Sequence, residues 1–246
     1  MSGTPKKLNR TRALKDYVRS RFSVGLESYI QSLRKHEIVG KKSILDVGCG
    51  PGQWAFAAAK ANPEATVIGI DINEILLDSA IKYKIENDIK NCEFFRESYE
   101  NLLKIFQPES FDVIMCNSVL QYIDEKRAFQ IFAHLLEKGG ILIMFWNPGP
   151  GYYLERLVSG IKNRNRREIT SALYSFRFRK ARPEREHCLT FEYLKRRAKV
   201  FGITLFQIAT EPKLDYRDRY FGIPYVFSCK GYKTVSQSHK VMVCVE

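Results

Sequence analysis

The amino-acid sequence predicts an α/β protein. Its core is a doubly wound, mostly parallel sheet of seven strands, with a helical cap before it and a basic helical insertion after the fifth strand. Three observations predict this. From Ser43 onward, short apolar runs alternate with segments of helical period. Those runs are apolar throughout instead of at every second position, as strands covered on both faces are. Charge is also blocked: residues 44–150 carry −6, between +8 for residues 1–43 and +9 for 151–200, with +2 for 201–246 and +13 in total.

Residues 8–36 read as helix, because Leu14, Tyr17, Val18, Phe22, Leu26, Tyr29, Ile30 and Leu33 fall close to a 3.6-residue period. Gly25 is placed to break it in two. SILDV is the first strand, QWAFAAAKA a helix and ATVIGI the second strand. NEILLDSAIKYKIEN is helical, CEFF is the third strand and FDVIMC the fourth. RAFQIFAHLLEK is a helix with Phe129, Phe132, Ala133 and Leu136 inward and His134 on the solvated side; Gly139-Gly140 is expected to stop it. ILIMFW is the fifth strand. Pro148, Gly149, Pro150 and Gly151 then make a turn-rich exit, followed by helices around 152–162 and 166–179. TFEYLKRRAKVFG is a helix with a Thr cap, ITLFQIAT the sixth strand and PYVFSCKGYK the seventh. The tail KVMVCVE alternates weakly, as an extra edge strand would. The resulting organisation is a basic cap over 1–42 and a main domain over 43–246, the latter holding the basic insertion at 148–189.

A chain of 246 residues with 45% apolar content can bury one large core. It contains no apolar run of bilayer length. The N-terminus MSGTPKKLNRTR lacks the apolar stretch of a secretory signal. A soluble, cytoplasmic protein is the expectation, including one peripheral to a membrane surface. The cysteines Cys49, Cys92, Cys116, Cys188, Cys229 and Cys244 show no CxxC spacing, so reduced thiols and no metal site are expected.

The first strand runs into Asp46-Val47-Gly48-Cys49-Gly50-Pro51-Gly52, after which Gln53-Trp54 open a helix. Glycines at such a turn let backbone approach a ligand, and the helix N-terminus offers free N–H groups. Asp71 ends the second strand, where a carboxylate accepts ribose hydroxyls. A dinucleotide fingerprint would place its third glycine at position 53, which is Gln53, so that fingerprint fails. The pattern present is D-x-G-x-G-x-G. Its leading carboxylate would repel a pyrophosphate and suits the ammonium of an amino-acid moiety.

ILDVGCGPGQW resembles motif I of the class I S-adenosylmethionine-dependent methyltransferases, and GIDIN resembles their second-strand motif. FDVIMCNSVLQYI and LLEKGGILIMFW resemble the fourth- and fifth-strand motifs, in order and at family-like spacing. The likeness covers residues 41–147, and extends through 188–232 as a helix–strand–strand ending. It implies the Rossmann-like methyltransferase fold with S-adenosyl-L-methionine as cofactor. It further implies that Gly48, Gly50 and Gly52 line the methionine part, Asp46 sits near its ammonium, Asp71 holds the ribose and Ile72 packs on the adenine. Glu97 and Ser98 fall where the adenine amino group is met, although RESYENL replaces the GD pair of many relatives. Asn117 and Ser118 would border the transferred methyl, with Gln121 and Tyr122 on the same edge. The implied reaction is an in-line methyl displacement, in which the protein supplies alignment and water exclusion.

His187, just before the helix at 190, is a candidate base, against the plainer reading of an idle surface histidine. Tyr17 and Tyr29 are candidates to cap the substrate pocket, Tyr17 standing with His187 as a candidate catalytic residue, against packing roles, and Trp54 reads as packing. In the insertion, Arg156, Lys162, Arg164, Arg166 and Arg167 interleave with Tyr152, Leu157, Ile161 and Leu173. That pattern suits a solvated lid, a face for anionic lipid or an RNA-binding face. The leading expectation is an enzyme methylating a small molecule, including an anionic, membrane-associated, lipid-linked or sugar-linked one. The alternatives are an RNA or protein methyltransferase docking through the insertion, and a non-catalytic module that binds the cofactor.

Overall fold

A computed structural model describes residues 5–177, 188–208, 219–220, 223–224 and 226–234. Two helices come first, α1 (Pro5–Ser23) and α2 (Leu26–Lys35). Gly25, at φ 75°, separates them, as its position in the sequence leads one to expect. Then follow β1 (Ser43–Val47), α3 (Gln53–Ala61), β2 (Thr66–Asp71), α4 (Glu74–Glu86), β3 (Cys92–Arg96), the short α5 (Leu102–Ile105), β4 (Phe111–Met115) and α6 (Glu125–Leu135). The second half holds β5 (Leu136–Pro148), α7 (Pro150–Lys162), α8 (Arg166–Arg177), α9 (Phe191–Val200), β6 (Ile203–Ile208), the two-residue strands β7 (Arg219–Tyr220) and β8 (Ile223–Pro224), and β9 (Val226–Lys233).

Seven strands form one sheet in the order β3-β2-β1-β4-β5-β9-β6, and β7 pairs with β8 separately. β1 pairs in parallel with both β2 and β4, whereas β9 is antiparallel to β5 and β6. The chain winds outward from β1 to β2 and β3, and outward again through β4 and β5 on the other side. The carboxyl ends of β1 and β4 are therefore the point where the winding reverses, the place where open α/β sheets bind ligands.

Apolar side chains cover both faces. Ile44, Val67, Val113, Ile143 and Phe145 pack under α2 and α3, and Leu45, Val47, Ile114, Leu142 and Met144 pack under α6 and α9. The Ala-rich α3 lies close to the sheet, and its Trp54 is clamped. The indole stacks on Phe145 at 4.6 Å and meets Tyr29 edge-on at 4.9 Å. Tyr29 donates its hydroxyl proton to the Arg21 carbonyl at 2.6 Å, so its role is packing. On β9, the buried ammonium of Lys230 donates to the His36 carbonyl at 2.7 Å and to Glu37 at 2.9 Å, tying the end of α2 to the sheet.

Two features differ from the sequence reading. Gly139-Gly140 does not stop a helix: α6 ends at Leu135, and the glycines lie inside β5. There Phe111 pairs with Leu136 but Val113 with Ile141, so β5 bulges, and Gly139 supplies the φ of 79° the bulge needs. β7 and β8 were not legible as strands. The tail KVMVCVE, His187 and Cys244 lie outside the described residues.

Removing the indole at Trp54 leaves a void between α2, α3 and β5. Trp54→Ala is expected to cost about 3–5 kcal/mol in urea unfolding, and a loss under about 1 kcal/mol would mean the clamp is dispensable.

Candidate active site

The turn from β1 to α3 is left-handed at each of its glycines, with φ of 69° at Gly48, 56° at Gly50 and 87° at Gly52. L-residues rarely adopt that region. Space is short as well. A Cβ on Gly48 would stand 2.4 Å from Val119 Cγ2, and one on Gly52 would stand 2.8 Å from Phe56 and 2.9 Å from Phe94. Gly50 differs: its nearest neighbours there would be the Tyr17 hydroxyl at 3.9 Å and Leu76 at 4.0 Å. A Cβ at Gly50 would thus fit in ordinary contact, with the Tyr17 hydroxyl of α1 beside it.

Asp71 holds the loop in place. One carboxylate oxygen accepts the Gly50 N–H at 2.9 Å and the other accepts the Asn73 N–H at 2.8 Å. Each oxygen keeps a further lone pair for a ligand hydroxyl. Asp46 is buried, and its Oδ2 has no hydrogen-bond partner among the described residues. Burial pushes its carboxyl up to about 8, the nearby Asp71 charge adds to that, and a hydrogen bond from the Ala55 amide opposes it. A buried, unmatched carboxylate oxygen is costly unless a donor completes it.

The remaining predicted residues gather along the same edge. Ile72 is 71% exposed next to Asp71. Glu97 donates its backbone N–H to the Asp71 carbonyl at 3.1 Å, which sets β3's end beside β2's. Its carboxylate accepts from the Asn101 side chain at 2.8 Å and the Ser98 N–H at 2.7 Å; these bonds hold its pKa below the usual range. Ser98 caps the turn at Tyr99–Asn101 through the Glu100 N–H. After β4, Asn117 accepts the Phe145 N–H at 2.8 Å, leaving its Nδ2 buried and unmatched among the described residues. Ser118 is left-handed at φ 56°, and its carbonyl accepts the Gln121 amide at 2.7 Å. Gln121 Oε1 is then a buried acceptor without a partner among the described residues. Val119 packs this turn onto Gly48, so the β4 edge and the glycine loop form one site.

Sequence reasoning missed Asn147. Its amide donates to the Met144 and Phe227 carbonyls at 3.2 and 3.3 Å, across a second irregularity in β5, while its Oδ1 is buried without a partner among the described residues. The available signal was one polar residue ending the apolar run ILIMFW. Among the described residues no His, Cys, Asp and Glu cluster could hold a metal, and no helix is long and apolar enough to cross a membrane.

The unmatched Asp46 oxygen, the glycine cradle and the Asp71 carboxylate fit a ligand with an ammonium and a ribose. Residues 38–151 match a family model described as a methyltransferase domain. A ubiquinone biosynthesis O-methyltransferase of Pseudomonas fluorescens is 33% identical over 123 residues, 49% of this chain and 51% of that protein. The ribosomal RNA large subunit methyltransferase G of Vibrio atlanticus is 31% identical over 45% of this chain and 30% of its own. The chain thus spans about half the length, or less, of these curated relatives. In fold, it is similar to an S-adenosylmethionine dependent methyltransferase from Mesorhizobium loti, with a TM-score of 0.60, 17% identity, and 85% of this chain covering 100% of that one. Residues 38–151 therefore match a methyltransferase domain, the chain has the fold of S-adenosylmethionine-dependent methyltransferases, and S-adenosyl-L-methionine is the cofactor that this likeness implies.

Proposed function

We propose that this chain transfers a methyl group from S-adenosylmethionine to a small-molecule acceptor that reaches the site from an anionic lipid surface. The observation that carries the cofactor half is the buried, unmatched Asp46 oxygen beneath a cradle too tight for side chains at Gly48 and Gly52. Asp46 receives the ammonium, Gly48, Gly50 and Gly52 line the methionine part, and Asp71 accepts the ribose hydroxyls. The exposed Ile72 covers the adenine, and Glu97 and Ser98 border its amino group. The bound cofactor supplies a methyl already activated on a sulfonium, so the residues contribute position and water exclusion. Asn117, Ser118 and Gln121 border the methyl. Asn117 Nδ2 offers a donor and Gln121 Oε1 an acceptor to orient the incoming nucleophile. A base is needed only for a nucleophile that arrives protonated.

The acceptor half rests on the helices after β5. α7 and α8 close on each other where Gly160 meets Ile169, and this leaves Val158, Ile161 and Leu173 exposed. Residues 151–177 carry six Lys and Arg against two Glu. Exposed aliphatics among cations suit the boundary of an anionic bilayer. The likeness to a ubiquinone biosynthesis enzyme supports an acceptor of low polarity. An RNA substrate is the second reading, favoured by the same cations and by the likeness to a ribosomal RNA methyltransferase.

Incubation with methyl-labelled S-adenosylmethionine and a cell lysate is expected to label the organic extract; label confined to RNA would contradict the proposal. Ile161→Glu is expected to weaken sedimentation with phosphatidylglycerol vesicles several-fold while leaving S-adenosylhomocysteine binding unchanged. Sedimentation equal to that of the unaltered chain would remove the lipid surface from the account.

Asp46 makes a pH-dependent prediction. With its free-site pKa near 8 it is mostly protonated at pH 7, and an ammonium partner favours the ionised form. S-adenosylhomocysteine binding at pH 7 should therefore release close to one proton, and affinity should rise from pH 6 to 8. Calorimetry in buffers of different ionisation enthalpy reads that proton. Asp46→Asn should abolish its release, and equal release from both forms would sink the assignment.

A further inference from the structure

The N-terminal helices reach the site through Tyr17. Its hydroxyl stands within contact distance of the side of Gly50 and makes no hydrogen bond among the described residues. The phenol is set by its surroundings. The Arg21 guanidinium lies 4.7 Å from the centre of its ring, one helical turn along α1. Further along α1, Phe22 stacks on Tyr83 of α4 at 4.5 Å and approaches Phe56 of α3 at 6.4 Å. The end of α1 is thus fastened to the two helices that flank the glycine loop, and the turn before it meets the loop.

The loop and the helix that meets it differ in the sign of their charge. Asp46 and Asp71 lie on the loop's other side, and the Asp71 charge adds to the cost that burial sets on ionising Asp46. α1 carries Arg12, Lys15, Arg19 and Arg21 against Asp16 in the residues around Tyr17, and of these Arg21 lies against the Tyr17 ring. An amino-acid moiety bound with its ammonium toward Asp46 must turn its carboxylate away from both aspartates. The neutral donor and the positive field it then needs are on α1.

We infer that Tyr17 is a cofactor-binding residue: its hydroxyl donates a hydrogen bond to the carboxylate of the cofactor's amino-acid end, with Arg21 supporting it from behind. This rests on the proposed function and extends it, because it makes α1 one wall of the cofactor site. It also moves Tyr17 from the chemistry of methyl transfer to recognition of the part of the cofactor that does not react.

The test compares two ligands by calorimetry. S-adenosylhomocysteine has the amino-acid carboxylate, and 5′-methylthioadenosine lacks the amino-acid group. Tyr17→Phe removes one oxygen from a side chain that is 37% exposed, and the melting temperature checks that the fold is kept. The expected result is S-adenosylhomocysteine binding weakened about tenfold, with 5′-methylthioadenosine binding unchanged. Equal weakening of both ligands, or of neither, would overturn the inference. If the unaltered chain binds 5′-methylthioadenosine as tightly as S-adenosylhomocysteine, no amino-acid recognition exists and the inference falls while the adenosine site stands. Failure to bind either ligand would sink the proposed function and this inference with it.

Discussion

The left-handed turn between β1 and α3 is the constraint on which the rest of the site depends. Backbone at positive φ is inexpensive for glycine and costs other residues of order 1 kcal/mol or more. Here the demand falls at Gly48, Gly50 and Gly52 within five residues. Two of them are also closed in by neighbours, Val119 on one side and the Phe56 and Phe94 rings on the other. Asp71 closes the turn by accepting the Gly50 N–H, so the residue proposed to hold the ribose also shapes the loop proposed to meet the methionine part. One carboxylate links two halves of a binding site.

That turn is held from behind by packing. Trp54, two residues past the last glycine, is fixed between Phe145 of β5 and Tyr29 of α2. Phe145 is in turn bracketed by polar contacts, its N–H going to Asn117 and its carbonyl accepting the Ser118 N–H at 3.2 Å. The aromatic clamp and the β4 turn therefore share a residue. A shift of β5 would move both the helix that follows the glycine loop and the carboxamides proposed to border the methyl. One bulge in β5 precedes this segment and the second irregularity, between Met144 and Asn147, contains Phe145, consistent with bulges that re-aim strands near sites.

Much of this was legible in the sequence. Strands covered on both faces leave unbroken apolar runs, and Asp46, the glycines and Asp71 announce themselves by spacing. Gly25 and the Thr190 cap, which accepts the Tyr193 N–H at 3.3 Å, behave as their residue types dictate. Other features left no local trace. A Gly-Gly pair after a helical run reads alike whether it ends a helix or opens a bulge, and only the pairing of β5 with β4 decides. The antiparallel placement of β9 between β5 and β6 is a long-range choice with no periodicity of its own. Asp46's missing partner and Tyr17's place beside Gly50 depend on atoms distant in sequence, so spacing could suggest them as candidates without bringing them together.

The account stands or falls on the identity of the ligand in this cradle. The direct measurement is a pair of calorimetric titrations of the unaltered chain, one with S-adenosylhomocysteine and one with NADH. Saturable one-to-one binding of S-adenosylhomocysteine, with NADH binding at least a hundredfold weaker, is the predicted result. Tighter binding of NADH would contradict it, because a pyrophosphate would then occupy a loop whose leading residue is the buried Asp46.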